Sequence, residues 1–319
     1  MDAPLGLKFK KFLSWILSDW ALAALMLVLL YVLNYFALMS PIYFIFLSLI
    51  AIEAPSIALI AMMCLMGTTF LLGTYFPNSY DFITPNNDNA AQLKFLSMIH
   101  FVMVKNPFIL MWEQLIIFLA ATLFRVHGQL GKSFEALVYL AIPMLFLLYD
   151  SDGLYLLAKH FSKIQADKSL LKNGMTANEL LDSGAVFILA SNVVWLSFSF
   201  WVSVRLSAWI HNAYKIYAPT VSNIRLSPAY PVITAGVIFF DPQWLLVLSI
   251  PIVISFISLV VFFAESRKFR RQEAVIIALG SIFVIYSIIP ELGMFLFLPL
   301  IDSFVDLRSQ FAKLNGNKA

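Results

Sequence analysis

Seven ionisable residues stand inside, or at the proline-marked ends of, long uncharged stretches: Glu53, Glu113, Arg205, Glu291, Asp302, Asp306 and Arg308. A charge at the centre of a membrane helix costs about 2.5–3.5 kcal/mol, several times what one leucine returns, so a charge kept at depth points to function by default. Glu113 lies one and a half turns into the apolar run that begins at Pro107, and Arg205 lies deep in another run. Their opposite charges would suit a pair inside a helix bundle. Glu53 and Glu291 adjoin Pro55 and Pro290, where helix ends reached by water or headgroups are the plainer account. Asp302 and Asp306 are four apart and share a face of a continuous helix. Two such carboxylates repel one another and can hold a proton or a cation between them. The plainer account is a helix emerging into cytoplasm, with Arg308 as counter-charge.

Other chemistry finds little support. His100, His127, His160 and His211 form no HExxH pattern and no close pair, so no metal ligand set is spelled out. Gly128-Gln-Leu-Gly131 lacks the Walker and dinucleotide patterns and reads as a turn, and no G-x-S-x-G is present. No cofactor is called for. Without an ATP-binding motif, powered transport would need a separate ATPase or an ion gradient. The one cysteine, Cys64, excludes an internal disulfide.

The setting for these residues is lipid. The 319-residue chain is 61% hydrophobic and only 12% charged, with mean hydropathy +0.87. A soluble domain carries about 25% charged residues. In hydrocarbon every backbone N–H and C=O must be paired internally, which leaves helices or a closed barrel. Barrel strands alternate apolar and polar residues, whereas these runs are continuous and long. The expected class is therefore all-α: a polytopic transmembrane helix bundle with about 8–10 spans, some short or broken by proline.

Residues 1–19 read as a basic amphipathic interfacial helix, with Phe9, Phe12, Leu13, Ile16, Leu17 and Trp20 on one face and Lys8, Lys10 and Lys11 elsewhere. Residues 20–310 read as one transmembrane domain, and 311–319 as a polar cytoplasmic tail. Within the domain, spans fall near 20–39, 41–53, 55–75, 107–124, 134–149, 183–210, 228–240, 242–264, 274–289 and 292–306. Arg125–Lys132 reads as a polar turn, and 77–89 as a loop. Residues 150–184 are the most polar stretch, with four lysines, and the hardest to place. Thr176-Ala-Asn-Glu179 carries a helix-start pattern. With ten crossings, fifteen of the 21 lysines and arginines lie on the side of the termini, which predicts cytoplasmic termini. The net charge of +3 is absorbed by that orientation and gives no sign of nucleic-acid binding.

Proline-broken short segments, at 41–53, 228–240 and 274–306, are the other functional hint. Discontinuous helices expose backbone dipoles near the midplane and bind substrates there in transporters, although short helices also occur in purely structural bundles.

The last third carries a resemblance. Ser222-Asn-Ile-Arg-Leu-Ser-Pro228 precedes a short apolar segment. Ala264-Glu-Ser-Arg-Lys-Phe-Arg-Arg271 then precedes a hairpin ending Pro299-Leu-Ile-Asp-Ser-Phe-Val-Asp-Leu-Arg308. Over roughly residues 185–310 this resembles the YybS-like family of bacterial inner-membrane proteins, whose pattern has Arg-Leu-Pro before a late span and ends in Leu-x-Asp, an aromatic, then Asp-x-Arg. Ser227 interrupts the Leu-Pro of that pattern. Members are similar in architecture to the membrane substrate-binding subunits of energy-coupling-factor vitamin transporters. The resemblance implies a helical architecture and a bacterial inner membrane, without a substrate. Three functions compete: a small-molecule-binding or transport subunit, a non-catalytic scaffold or assembly factor with a membrane protein partner, and an intramembrane enzyme acting on lipid-linked substrates.

Overall fold

Proline and glycine cut the apolar runs into helices. The computed structural model describes residues 5–37, 40–75, 107–149, 177–211, 221–240, 244–287 and 298–316. Among them are thirteen α-helices, one 3-10 turn at Val221–Asn223 and no strand. The protein is an all-α, multi-pass membrane protein. Its helices gather into two compact units, residues 1–122 with 139–214 and residues 123–138 with 215–319, where the sequence suggests a single domain.

The first unit opens with α1 (Leu5–Ser18) and α2 (Trp20–Ala37), bent by 106° relative to one another. Asp19 makes the elbow: its Oδ1 accepts the N–H groups of Ala21 at 3.0 Å and Leu22 at 3.3 Å, capping α2. The first helix has three stripes. Leu13 and Ile16 are buried, Leu13 against Leu49 and Ile210; Phe12 and Trp15 are exposed beside Lys8; Lys11 and Ser14 are exposed on the third side. Exposed aromatics beside lysines suit a helix lying at the headgroup level.

At the centre of this unit lies α3 (Ser40–Glu53), only 14 residues and about 21 Å long. Tyr43, Phe44, Leu47, Leu49, Ile50 and Ala51 are all essentially buried, so it is a core helix and not a full crossing. Ala54-Pro55 separates it from α4 (Pro55–Tyr75), because proline brings no N–H to continue the ladder. The long α8 (Ala177–Ile210) runs parallel to α3, and the hydroxyls of Ser48 and Ser203 pair across them at 2.6 Å. Small residues at such a seam let two membrane helices approach closely.

Between these come α5 (Pro107–His127), α6 (Leu130–Ala141) and α7 (Met144–Tyr149). The polar turn expected over 125–132 shrinks to Gly128 and Gln129: exposed Arg125 and His127 continue the helix, and Gly128 ends it at φ 65°. The span expected over 134–149 is broken before Met144, since Pro143 interrupts the helix. The indole N–H of Trp112 donates to the Leu140 carbonyl at 2.7 Å near this break.

The second unit is built on α10 (Leu245–Ser266), with α9 (Ala229–Phe240), α11 (Arg271–Ser287), α12 (Leu298–Val305) and α13 (Leu307–Gly316). The α10–α11 hairpin closes over Val261, Ala264, Ala274 and Ala278. The polar tail expected from 311 is helical to Gly316, and Phe311 stacks edge-on against Phe263 at 4.9 Å, so an aromatic contact extends the fold into it.

Among the described residues, four segments are long and apolar enough to cross a bilayer: Phe108–His127, Leu130–Leu148, Ala185–Ile210 and Leu245–Ser266, with α1–α2 as a bent fifth. Ile42–Glu53, Pro55–Thr69, Ala229–Phe239 and Gln272–Phe283 are apolar but shorter. The expected 8–10 crossings counted these short helices as spans. The expected loop 77–89 and residues 150–176 lie outside the described residues, and 177–184 form the start of α8.

The α3–α8 seam sets a first prediction. Ser203→Ala removes one interhelical hydrogen bond and is expected to cost about 0.6 kcal/mol. Ser203→Leu overpacks the seam and is expected to cost about 1–3 kcal/mol. Reversible unfolding in detergent should rank the two variants in that order; equal losses would place the seam elsewhere.

Candidate functional sites

In the first unit, Glu113 of α5 is 3% exposed, and the Asn192 side-chain amide donates to its Oε1 at 2.6 Å. The same Asn192 nitrogen lies 3.7 Å from Met144 Sδ. Tyr43 of α3 is buried within electrostatic reach of Glu113, and its ring packs on Tyr31 of α2 at a centroid distance of 5.4 Å. The Tyr31 hydroxyl bonds Thr69 of α4. Six helices thus each send one polar or sulfur-bearing side chain to a connected buried cluster. Among the described residues, the hydroxyl of Tyr43 and both amide atoms of the buried Gln114 have no hydrogen-bond partner. Buried polar atoms are nearly always paired, so orphans mark a place that can still bind something.

The expected Glu113–Arg205 pair does not form. Arg205 lies thirteen residues beyond Asn192 on α8, about 20 Å away along the axis. Its guanidinium sits over the Trp201 ring at 5.5 Å. Glu53 closes α3: it accepts the Ser207 hydroxyl and stands 2.6 Å from the exposed His211 ring. The carboxylate thus bridges the Ser207 hydroxyl and the His211 ring at the end of the α3–α8 seam. Glu291 lies outside the described residues.

A groove of about 560 Å³ also marks this unit, between α4, α5 and the Pro143 corner. Met66, Met111, Trp112, Leu115 and Leu147 line it, with Phe108 and Phe146 strongly exposed. It offers apolar surface without a polar anchor.

The second unit holds a denser polar cluster. After the 3-10 turn, residues 224–227 run without regular structure between helices. Arg308 of α13, 8% exposed, donates Nη2 to the Ile224 carbonyl at 2.8 Å, Nη1 to the Ser222 carbonyl and to Ser258 Oγ at 3.1 Å, and Nε to Asp302 Oδ2 at 3.0 Å. Burial lowers the pKa of Arg308 from its ordinary value, and the adjacent Asp302 carboxylate works against that shift. Ser258 Oγ also accepts the Ile224 N–H at 3.0 Å. Arg225 donates Nε and Nη2 to the Asp302 carbonyl at 3.0 and 2.6 Å, and Nη1 stands 3.3 Å from Asp306 Oδ2. At the far end, Glu135 of α6 accepts the Ser227 N–H, and the Ser227 hydroxyl at 2.6 Å. Gly131 sits directly beneath: a Cβ there would overlap the Arg225 carbonyl oxygen, so only glycine permits this approach.

Asp302 and Asp306 therefore do not share a helix face. Asp306 adopts φ 53°, breaks the helix between α12 and α13, and its Oδ1 accepts the Ser309 N–H at 3.2 Å. Aspartate tolerates the left-handed region better than most residues and caps the helix that follows. Each aspartate has its own arginine, and the counter-charge expected of Arg308 is met by Asp302 inside the protein. Two of the three stretches quoted for the resemblance, Ser222–Pro228 and Pro299–Arg308, are the two sides of this knot.

Glu135, Arg225, Tyr43 and Asn192 carry these sites but were not singled out by charge and spacing. Glu135 is a carboxylate at the start of a strong span, a signal of the same kind as Glu113. Tyr43 and Asn192 are neutral, so only their depth in apolar runs marks them. No protein-family model, curated protein or solved structure matches the chain.

Removing one partner of a buried ion pair costs about 3–5 kcal/mol. Arg308→Ala is expected to lose that much stability, and the double variant Asp302→Ala with Arg308→Ala less than the sum of the two single losses. A double-mutant cycle by thermal unfolding checks this; additive losses would mean that the two side chains do not interact. Gly131→Ala is expected to destabilise more than substitution at the exposed Gly236, where a Cβ meets open space.

Proposed function

We propose that this chain is a small-molecule-binding or transport subunit of a bacterial inner membrane, with both termini cytoplasmic, and that it belongs with the YybS-like proteins. The observation that carries the binding role is the buried polar cluster of the first unit: Glu113, Asn192 and an unpartnered Tyr43 hydroxyl inside apolar helices. Carboxyl, amide and phenol converging where lipid-facing helices meet can fix the orientation of a polar ligand, which a groove of methionine and phenylalanine cannot. Any powered cycle would draw on a separate ATPase or an ion gradient.

The scaffold role has its own support in the second unit. Its charges are spent on holding one non-helical segment, which is what a shape-keeping element needs. The enzyme role draws less support, since Asp302 is buried against Arg308 and Asp306 caps a helix.

Native mass spectrometry of the full chain, released from mild detergent, separates the binding role from the scaffold role. The binding role predicts a small-molecule adduct on the wild-type protein that is lost in Glu113→Gln and in Asn192→Ala, both still folded by thermal unfolding. A bare wild-type mass together with a stoichiometric protein partner would overturn the binding role in favour of the scaffold.

A further inference from the structure

We infer that Glu113 is a proton-exchange site inside the membrane: its carboxyl takes up and releases a proton as the first unit works. The inference deepens the binding role proposed above and rests on it, since it names what the buried cluster handles besides the ligand.

Glu113 lies in a segment long and apolar enough to cross the bilayer and is almost wholly buried. Among the described residues no lysine, arginine or histidine pairs with it. A carboxylate held by one amide and no cation is among the costliest groups to keep in hydrocarbon, and a bound proton is the smallest remedy. The surroundings fit a proton better than a metal cation. Asn192 presents its N–H₂ end to the carboxyl, so the positive end of the amide dipole faces the site. Met144 contributes sulfur, a poor ligand for a hard cation. Among the described residues, Tyr43, with Tyr31 and Thr69 behind it, adds no positive charge to the cluster.

The orphan hydroxyl supplies the second, independent observation. Asn192 occupies Oε1, so a proton on the carboxyl would be carried by Oε2. A protonated carboxyl is a donor, and the Tyr43 hydroxyl, buried in the same cluster, has no hydrogen-bond partner of its own.

The test is modification by dicyclohexylcarbodiimide, a hydrophobic reagent that reacts with a protonated carboxyl in apolar surroundings. The carboxyl proton passes to a carbodiimide nitrogen, the carboxyl oxygen bonds to the central carbon, and the adduct rearranges to a stable N-acylurea with nothing lost. The full chain in lipid nanodiscs is treated over a pH series, and modified peptides are mapped by mass spectrometry. Glu113 is expected to be modified at low pH, with labelling falling about tenfold per pH unit above its midpoint. Tyr43→Phe is expected to move that midpoint while leaving the thermal unfolding temperature nearly unchanged. Glu113 left unmodified at every pH, or modified equally at all, would overturn the inference, because the carboxyl would then not exchange its proton with the medium. Labelling of Glu113 without any retained ligand would leave the proton site standing and remove the binding role. A retained ligand without labelling would do the reverse.

Discussion

Non-helical backbone buried among helices must find its hydrogen-bond partners in side chains, and in the second unit Arg308, Ser258 and Glu135 meet that need together. Residues 222–227 cannot satisfy themselves as a helix does. Arg308 takes the carbonyls of Ser222 and Ile224, Ser258 takes the Ile224 N–H, and Glu135 takes the Ser227 N–H. In a low-dielectric setting each lost pairing would cost several kcal/mol. The need explains why charges sit at a helix-poor place in an otherwise apolar chain. It also explains why Asp302 is there: it balances the guanidinium that the backbone requires. Asp306 then turns the chain and caps α13, which delivers Arg308 to the segment.

The first unit solves a different problem. Its helices satisfy their own backbones, so polar side chains are free to pair across helix seams. Ser48 with Ser203, Glu53 with Ser207 and His211, and Tyr31 with Thr69 each tie two helices together. Glu113 and Asn192 belong to the same set but leave a hydroxyl unmatched beside them. Among the described residues the knot of the second unit leaves one buried side-chain atom, Asp302 Oδ1, without a hydrogen bond, and its other polar groups are tied to backbone or counter-charge, so it reads as architecture. The cluster of the first is under-saturated and reads as a place where a ligand or proton completes the bonding.

Some elements were legible because local chemistry alone makes them. Pro55 and Pro107 each bring no N–H, so helices start there, whereas the break at Pro143 was missed inside the expected span 134–149, and Pro251 stays within α10. The basic, amphipathic first helix was legible for the same reason: its face pattern is a property of spacing. The turn at 128–129 was overestimated because arginine and histidine on an exposed helix end look like loop residues. The shared face of Asp302 and Asp306 was wrong because four-residue spacing implies one face only in an unbroken helix, and Asp306 lies where α12 has ended.

Composition and periodicity by themselves determined the solvent and the class. With so few charges, lipid must cover the surface, and continuous apolar runs in lipid must be helices. They also determined where most helices break, since proline and glycine act within a turn of their own position. Tertiary structure decided everything that depends on which distant residue arrives. Asn192 rather than Arg205 meets Glu113, because helix rise puts Arg205 far beyond reach; Arg225 and Arg308 divide Asp302 and Asp306 between them; and Gly131 matters only because the Arg225 backbone lies on it. These are pairings between separate helices or segments, most of them far apart in sequence, and local spacing does not encode them.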